Sequence, residues 1–354
     1  MRIFLAFAIM VCCILTAEAV DINGTLLLEY EDREGGTGLI QNTQNQSLGI
    51  AQVDLRLTQE LSEFNRAFAR LSSSGGNVRI TEGWLSFGGL PYDGTVTAGQ
   101  FFKPLGAPVQ HSGLSYPALL FHTSAVQGIK LSAEYYPWRG EIGVVNNNPF
   151  SQRGTTISSS SAFGRPLAST ALPRNTGARE GYAFFGWQDG GTWGSLDVNV
   201  TGTYGKFSQT DMNLLDSLNI LAPNPPHKGN RRGLDVSADY IYGPARLNGE
   251  YAVFKEGKLS LTAWNISGSW RQGKFNWIIG YDHLANNAAA RPINVPASWM
   301  RRRVSYATTY EFNSSLQFRL QYEQNREEIS GTANFGDHRG IPNDGITAQV
   351  KYTF

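Results

Sequence analysis

The sequence is poor in cysteine, in histidine and in long apolar runs, and each shortage removes a class of protein. Its 2 cysteines, Cys12 and Cys13, are adjacent and lie in an apolar stretch that follows Met1-Arg2 and closes on Ala17-Glu18-Ala19. One positive charge, a short apolar run and a small-residue pair two positions apart make a secretory signal peptide, so residues 1–19 are set aside. The mature chain, 20–354, then has no cysteine. Disulfide frameworks, thiolate metal sites and cysteine nucleophiles all drop out. No later segment reaches the ~18 consecutive apolar residues of a membrane-crossing helix. The 5 histidines (His111, His122, His227, His283, His338) are scattered, with no H-E-x-x-H and no metal-ligand spacing. No G-x-S-x-G elbow occurs, and nothing local supports a triad of His122, Ser124 and Asp189. The expectation is no enzyme, no metal and no cofactor. Net charge is +1, which gives nucleic acid no electrostatic footprint to recognise.

What the chain does have is glycine and aromatics: 39 Gly, 15 Tyr, 19 Phe and 8 Trp, a composition for strands, tight turns and interfacial rings. The stretch Gly345 to Phe354 sets the pattern. Ile346, Ala348, Val350, Tyr352 and Phe354 alternate with Thr347, Gln349, Lys351 and Thr353. Strict alternation over ~10 residues makes a strand with one apolar and one wet face, and ~9–11 tilted residues are what crosses a bilayer. This ending resembles the assembly signal of bacterial outer-membrane β-barrels, a last strand finishing in Phe. A terminal strand of a soluble sandwich is the alternative for this segment alone.

The rest of the chain repeats the pattern. Leu26, Leu28 and Tyr30 oppose Thr25 and Glu29, and Ala51, Val53, Leu55 and Leu57 oppose Gln52, Asp54 and Arg56. Polar and charged groups at three alternate positions suit a water-filled lumen, not a dry core. Ile129, Leu131, Ala133 and Tyr135 alternate with Lys130, Ser132 and Glu134, and Leu316, Phe318, Leu320 and Tyr322 with Gln317, Arg319, Gln321 and Glu323. Only Leu61, Phe64, Phe68 and Leu71 recur at helical spacing, which predicts a short helix or an inward-folded loop over 61–71. The segments 148–179, 207–230 and 324–344 have no periodicity and read as long loops, the functional or unstructured kind. Short turns alternate with long loops. That rhythm belongs to a barrel with one end in the periplasm and the other outside, and no blade-length repeat suggests a propeller. The fold class expected is all-β, a transmembrane antiparallel β-barrel of about sixteen strands (fourteen to eighteen fit the spacing) with long external loops and short periplasmic turns. A mean hydropathy of −0.28 agrees, because only alternate residues meet lipid.

One stretch is more specific. Thr81-Glu82-Gly83-Trp84-Leu85-Ser86-Phe87 is followed by Gly94-Thr95-Val96-Thr97-Ala98-Gly99-Gln100-Phe101-Phe102-Lys103-Pro104-Leu105-Gly106. It resembles the phosphate-selective porin family within the porin superfamily. Gly99, Gln100, Phe101, Lys103, Pro104 and Gly106 match the motif, Phe102 is inserted, and Leu105 replaces an aromatic residue. The resemblance covers ~25 residues and implies a trimeric pore, general or anion-preferring. No dense ladder of lumen arginines is legible, and Asp54, Glu134, Asp235, Asp239, Glu250 and Glu323 sit among the basic residues.

The function expected is an outer-membrane porin for passive diffusion of small hydrophilic solutes or ions, with anions and phosphate as the preference to be tested. Selectivity would come from charges in the lumen and from a loop that narrows it. The pore-lining candidates are Arg56, Lys130, Glu134, Arg319, Glu323 and Lys351. Arg153, Arg165, Arg174 and Arg179 are the candidates on a constricting loop. Arg231-Arg232 and Arg301-Arg302-Arg303 open strands after long loops, where they are either solvated flanks, the reading preferred here, or contacts for lipopolysaccharide phosphates. Outer-membrane lipid and lipopolysaccharide, the solute and two further copies of the chain are the expected partners. The competing function is a non-conducting structural or docking barrel, a partner's sheath or an adhesin.

Overall fold

A computed structural model describes residues 20–33, 46–74, 77–105, 125–146, 179–206, 230–256, 259–286, 297–330, 338–342 and 344–354. The expected signal peptide and the candidates Arg153, Arg165 and Arg174 lie outside these residues. The described chain is all strand and turn: β1 (Asp21–Arg33), β2 (Gln46–Glu60), β3 (Asn65–Ser74), β4 (Asn77–Leu90), β5 (Gly94–Phe101), β6 (Val126–Tyr135), β7 (Trp138–Asn146), β8 (Arg179–Gly191) and β9 (Gly194–Lys206). Then come β10 (Asn230–Tyr242), β11 (Ala245–Glu256), β12 (Leu259–Gln272), β13 (Phe275–Asn286), β14 (Ala297–Glu311), β15 (Leu316–Ser330), β16 (His338–Pro342) and β17 (Gly345–Thr353).

From β2 to β16 each strand pairs antiparallel with the one before it, β17 pairs with β15, and β17 returns to β1 from Thr25↔Thr353 to Arg33↔Gly345. Both β16 and β17 lie along β15, one beyond the other, so they make a single stave. The result is a closed barrel of sixteen staves. Closure leaves no strand edge, the condition for placing a sheet in lipid. At ~16 strands the wall is too wide for side chains alone to fill.

The seam has its own lock. Gly24 donates its N–H to the Phe354 carbonyl at 2.9 Å and accepts from the Phe354 N–H at 3.1 Å. The Phe354 ring lies flat over Gly24, so closely that a Cβ there would fall 2.6 Å from Cε2 and 2.8 Å from Cε1. Tyr352 stacks on Phe354 at 6.1 Å between ring centres.

Alternation fixes the two faces. Ile129 is 59% exposed and Leu131 42%, whereas Lys130 between them turns inward to Glu141 at 2.9 Å. Leu28, Tyr30, Val144, Phe185, Leu247, Ile279 and Tyr322 are exposed in the same way, as side chains that meet lipid instead of water. At the short-turn end the outward rings meet in pairs: Tyr92–Tyr135 at 5.9 Å, Trp138–Phe185 at 5.2 Å and Phe275–Tyr310 at 4.8 Å. Such a belt suits the headgroup level of a bilayer.

Two expectations fail. Residues 65–74 are β3 and 61–64 the turn before it, not a helix or an inward loop. Leu61 and Phe64 belong to the turn, and Phe68 stacks on Trp84 at 5.0 Å. The helical spacing is therefore a turn followed by a strand with apolar residues on both faces. The last long loop is also shorter than expected, since β15 runs on to Ser330 and pairs with β16. Gln324 to Glu328 are polar at every position, as a strand is where it rises out of lipid and both faces are wet, so no alternation marked it.

The seam yields a test. Gly24→Val should cost about 1–3 kcal/mol of barrel stability, the range for overpacking, read from the urea midpoint in lipid vesicles. In a Phe354→Ala background the same substitution should cost nothing measurable, because the ring is the obstacle. Additive costs would show that the ring does not close the seam.

Candidate functional site in the barrel interior

The inner wall is built from the other half of each alternation. On β2–β4, Asp54 accepts from Arg70 at 2.7 Å, from Gln52 at 2.6 Å and from Ser72, and Arg70 also reaches Glu82 at 3.5 Å. On β7–β9, Arg139 pairs with Asp197, donates to Asn199 at 2.9 Å and lies over the Phe184 ring at 5.7 Å. Arg246 of β11 grips Asp239 of β10 with two bonds of 2.8 Å, the bidentate geometry that favours arginine over lysine. On β13–β15, Arg303 bonds Asp282 at 2.9 Å and lies 3.7 Å from Glu323, while Asn265 donates to Asp282 at 3.0 Å. Acids and bases thus interleave around the wall.

Into this interior runs the segment that follows β5, and it is the part of the chain that carried the family resemblance. Gly99 has φ +138°, and a Cβ there would come within 2.7 Å of the Trp84 Cα, so only glycine lets β5 lie this close to β4. Gln100 donates to the carbonyls of Thr81 at 3.0 Å and Ile80 at 3.3 Å. Phe101, 2% exposed, packs with Val126, Val145 and Tyr182 in the one apolar cluster of this inner wall among the described residues, with Trp84 against it. The backbone then leaves the wall. Lys103 forms a buried ion pair with Glu180 of β8, and the Pro104 carbonyl accepts from the Thr201 hydroxyl of β9 at 2.6 Å. Glu180 also faces Arg231 of β10 at 3.5 Å, whose guanidinium covers the Phe254 ring at 5.0 Å. A short segment from β5 is therefore pinned to β8 and β9, inside the barrel and several staves away.

The predicted residues fall into groups. Lys130 is part of this site: it bonds Glu141 and sits over Phe101 at 5.1 Å, and the Tyr182 hydroxyl donates to the same Glu141 at 2.5 Å. Arg319 and Glu323 face inward together on β15, with Gln321 bonding Glu323 at 2.5 Å. Arg56, Lys351 and Glu134 share the inward face and are exposed, the first two on the staves flanking β1. Arg179 is not among them. It opens β8 on the side of the strand that Phe185 turns to the exterior, in step with the alternation that puts Glu180 inside.

Several interior residues were not legible. Arg70 lay in the segment expected to be a short helix or an inward-folded loop, and Arg139 and Arg246 are each the second residue of a strand, next to a short turn. The arginine runs divide by alternation: Arg231, Arg301 and Arg303 are buried on the inner face, while Arg232 and Arg302 are exposed outside. They are not solvated flanks as sets. Lys103 had a signal, the family-like motif, but its partner Glu180 had none.

The chain matches no protein-family model and no curated protein by sequence. Its structure does have relatives. OprB of Pseudomonas putida superposes with a TM-score of 0.67 at 10% identity, over 95% of this chain and 94% of that one. The anion-selective porin of Comamonas acidovorans gives 0.61 at 13% identity, over 95% and 97%. The trimer form of OmpT, an outer membrane protein of Vibrio cholerae, gives 0.62 at 12% identity, over 96% and 100%. At such identities the likeness is one of architecture, a closed β-barrel shared with these bacterial outer-membrane proteins.

Proposed function

We propose that this protein is an outer-membrane porin through which small hydrophilic solutes and ions diffuse passively. The observation that carries the reading is a closed barrel with a lipid-suited exterior, a charged interior and a segment pinned inside it. The porin-like architecture of the relatives and the expected signal peptide support the same location. Passage needs no chemistry: polar wall groups replace part of a solute's hydration, and the pinned segment sets the size limit. The trimer form of the Vibrio cholerae relative supports assembly in threes.

The preference among ions follows from which charges are already spent. Most interior acids and bases neutralise one another in pairs. The exposed candidates Arg56 and Lys351 are positive and Glu134 is negative, so the balance favours anions weakly, phosphate included as one anion among others.

A non-conducting docking barrel has one observation in its favour. Inner residues of β10–β14 are closely covered, Asp282 at 0%, Ser305 at 1% and Arg231 at 2% exposure. Planar-bilayer recording separates the two. Stepwise openings in threes are expected of the porin, and a folded protein that inserts without conducting would leave the docking barrel.

Two variants extend the test. Arg56→Glu with Lys351→Glu should move the reversal potential under a KCl gradient towards cation preference while leaving the unfolding midpoint within about 0.5 kcal/mol of the parent. Glu180→Gln leaves Lys103 and Arg231 without their shared carboxylate, a loss of about 3–5 kcal/mol for a buried pair. It should raise the open-channel noise and change the conductance, and an unaltered current would mean that the segment does not limit passage.

A further inference from the structure

A cavity of about 550 Å³ lies against the inner wall of β3–β6, on the short-turn side of the segment that follows β5. It runs from the turn residues Glu63 and Asp93 to Phe101 and Phe102, and its volume is in the range of small-molecule sites. The wall behind it is a lattice of rows. Arg66, Ser86, Thr97 and Lys130 stand side by side in one cross-strand row. Thr95 and Ser132 face each other one row nearer the turns. Trp84, stacked on Phe68 at 5.0 Å, lies one row deeper.

Two hydroxyls of the first row lack a partner. Ser86 is 8% exposed and Thr97 5%, yet neither side chain makes a hydrogen bond among the described residues. Unlike the hydroxyl oxygens of Ser237 and Ser305, theirs are not sealed off, so both are aimed into the cavity. A buried hydroxyl left unpaired is costly, and a ligand that pairs it removes the penalty.

The charges around these hydroxyls decide what kind of ligand that is. Lys130 is bonded to Glu141 at 2.9 Å, Arg66 lies 3.2 Å from Glu60, and Glu82 lies 3.5 Å from Arg70. No cation of the cavity is left over to hold an anion, and Glu63 and Asp93, without ion pairs among the described residues, would repel one at the mouth. What the wall offers unspent is neutral: hydroxyls that both donate and accept, beside the aromatic surface of Trp84, Phe101 and Phe102. A molecule with many hydroxyls and a flat C–H face matches that set.

We propose, resting on the channel reading above, that this cavity is a subsite for a neutral sugar, one ring against the aromatic wall with its hydroxyls paired to Ser86 and Thr97. The carboxylates of Glu63 and Asp93 then accept from sugar hydroxyls at the mouth instead of holding a counter-charge.

The test is saturation-transfer NMR of the refolded protein in detergent micelles with glucose, glucosamine and glucuronate, rings that differ chiefly in charge. Glucose is expected to saturate at the lowest concentration. Ser86→Ala with Thr97→Val should weaken it by about tenfold, as the loss of two hydrogen bonds does. Because those hydroxyls bond nothing in the protein, the urea midpoint of the double variant should equal or exceed the parent's. Tighter saturation by glucosamine overturns the proposal in favour of a cation site, and tighter saturation by glucuronate in favour of an anion site. A double variant that binds glucose like the parent, or whose midpoint falls, also overturns it, the latter because the hydroxyls would then be structural. Planar-bilayer recording of the same samples keeps the two readings apart. A conducting protein that takes up no glucose sinks the sugar subsite alone, and a protein that binds glucose but never conducts sinks the channel alone.

Discussion

Every backbone N–H and C=O that enters hydrocarbon must find a partner within the protein, and that constraint organises this chain. A sheet meets it only by closing, so β17 has to reach β1, and the seam between them is where closure succeeds or fails. Gly24 and Phe354 finish the ladder with two backbone hydrogen bonds while the ring shields them from the outside. Once the wall is closed, every side chain has one of two addresses. A shift of one residue would exchange the addresses of an entire strand, placing Asp54 or Asp282 in lipid. Paired charges inside and apolar side chains outside therefore hold the register as much as they result from it.

The interior carries its charges at little cost in field. Arg70, Arg246 and Arg303 each have a carboxylate on the neighbouring stave, and Arg139 reaches one across β8, so the wall is densely ionic yet nearly balanced, as the net charge of the whole chain foreshadows. Cross-strand pairs of this kind contribute modestly each. Their collective effect is to keep long side chains against the wall. The same balance explains why total arginine content is a poor guide to ion preference here. In the proposed channel only charges that project free of a partner would act on a solute.

How much of this was legible follows from where water lies. In the lipid-crossing half of each strand one face is apolar and the other wet, and there the pattern in Ile129 to Tyr135 or Leu316 to Glu323 reads directly as structure. Towards the long-loop end both faces are wet, and Gln324 to Glu328 look like loop although they are strand. β3 failed for the opposite reason. Phe68 is an apolar residue on the wet face, held there by Trp84, and one such exception turns a period of two into an apparent helix. Interior pairing lay beyond sequence reasoning, because Lys103 and Glu180 are 77 positions apart and only the closed wall brings them together.

That last pair bears on why a pinned segment is compatible with an open wall. Phe101 to Leu105 cannot bury enough apolar surface to hold itself in water; Phe101 alone joins the apolar cluster with Val126, Val145 and Tyr182. The remainder is held by polar ties to β8 and β9. Charged hydrogen bonds of this sort are strong only where water is excluded, and both Lys103 and Glu180 are at least 95% covered. The segment and the wall thus exclude water from each other's contacts, so the ties and the position of the segment stand or fall together. Gly99 decides where this begins: with β5 pressed against Trp84, Phe101 enters the cluster and the next residues are directed across the lumen.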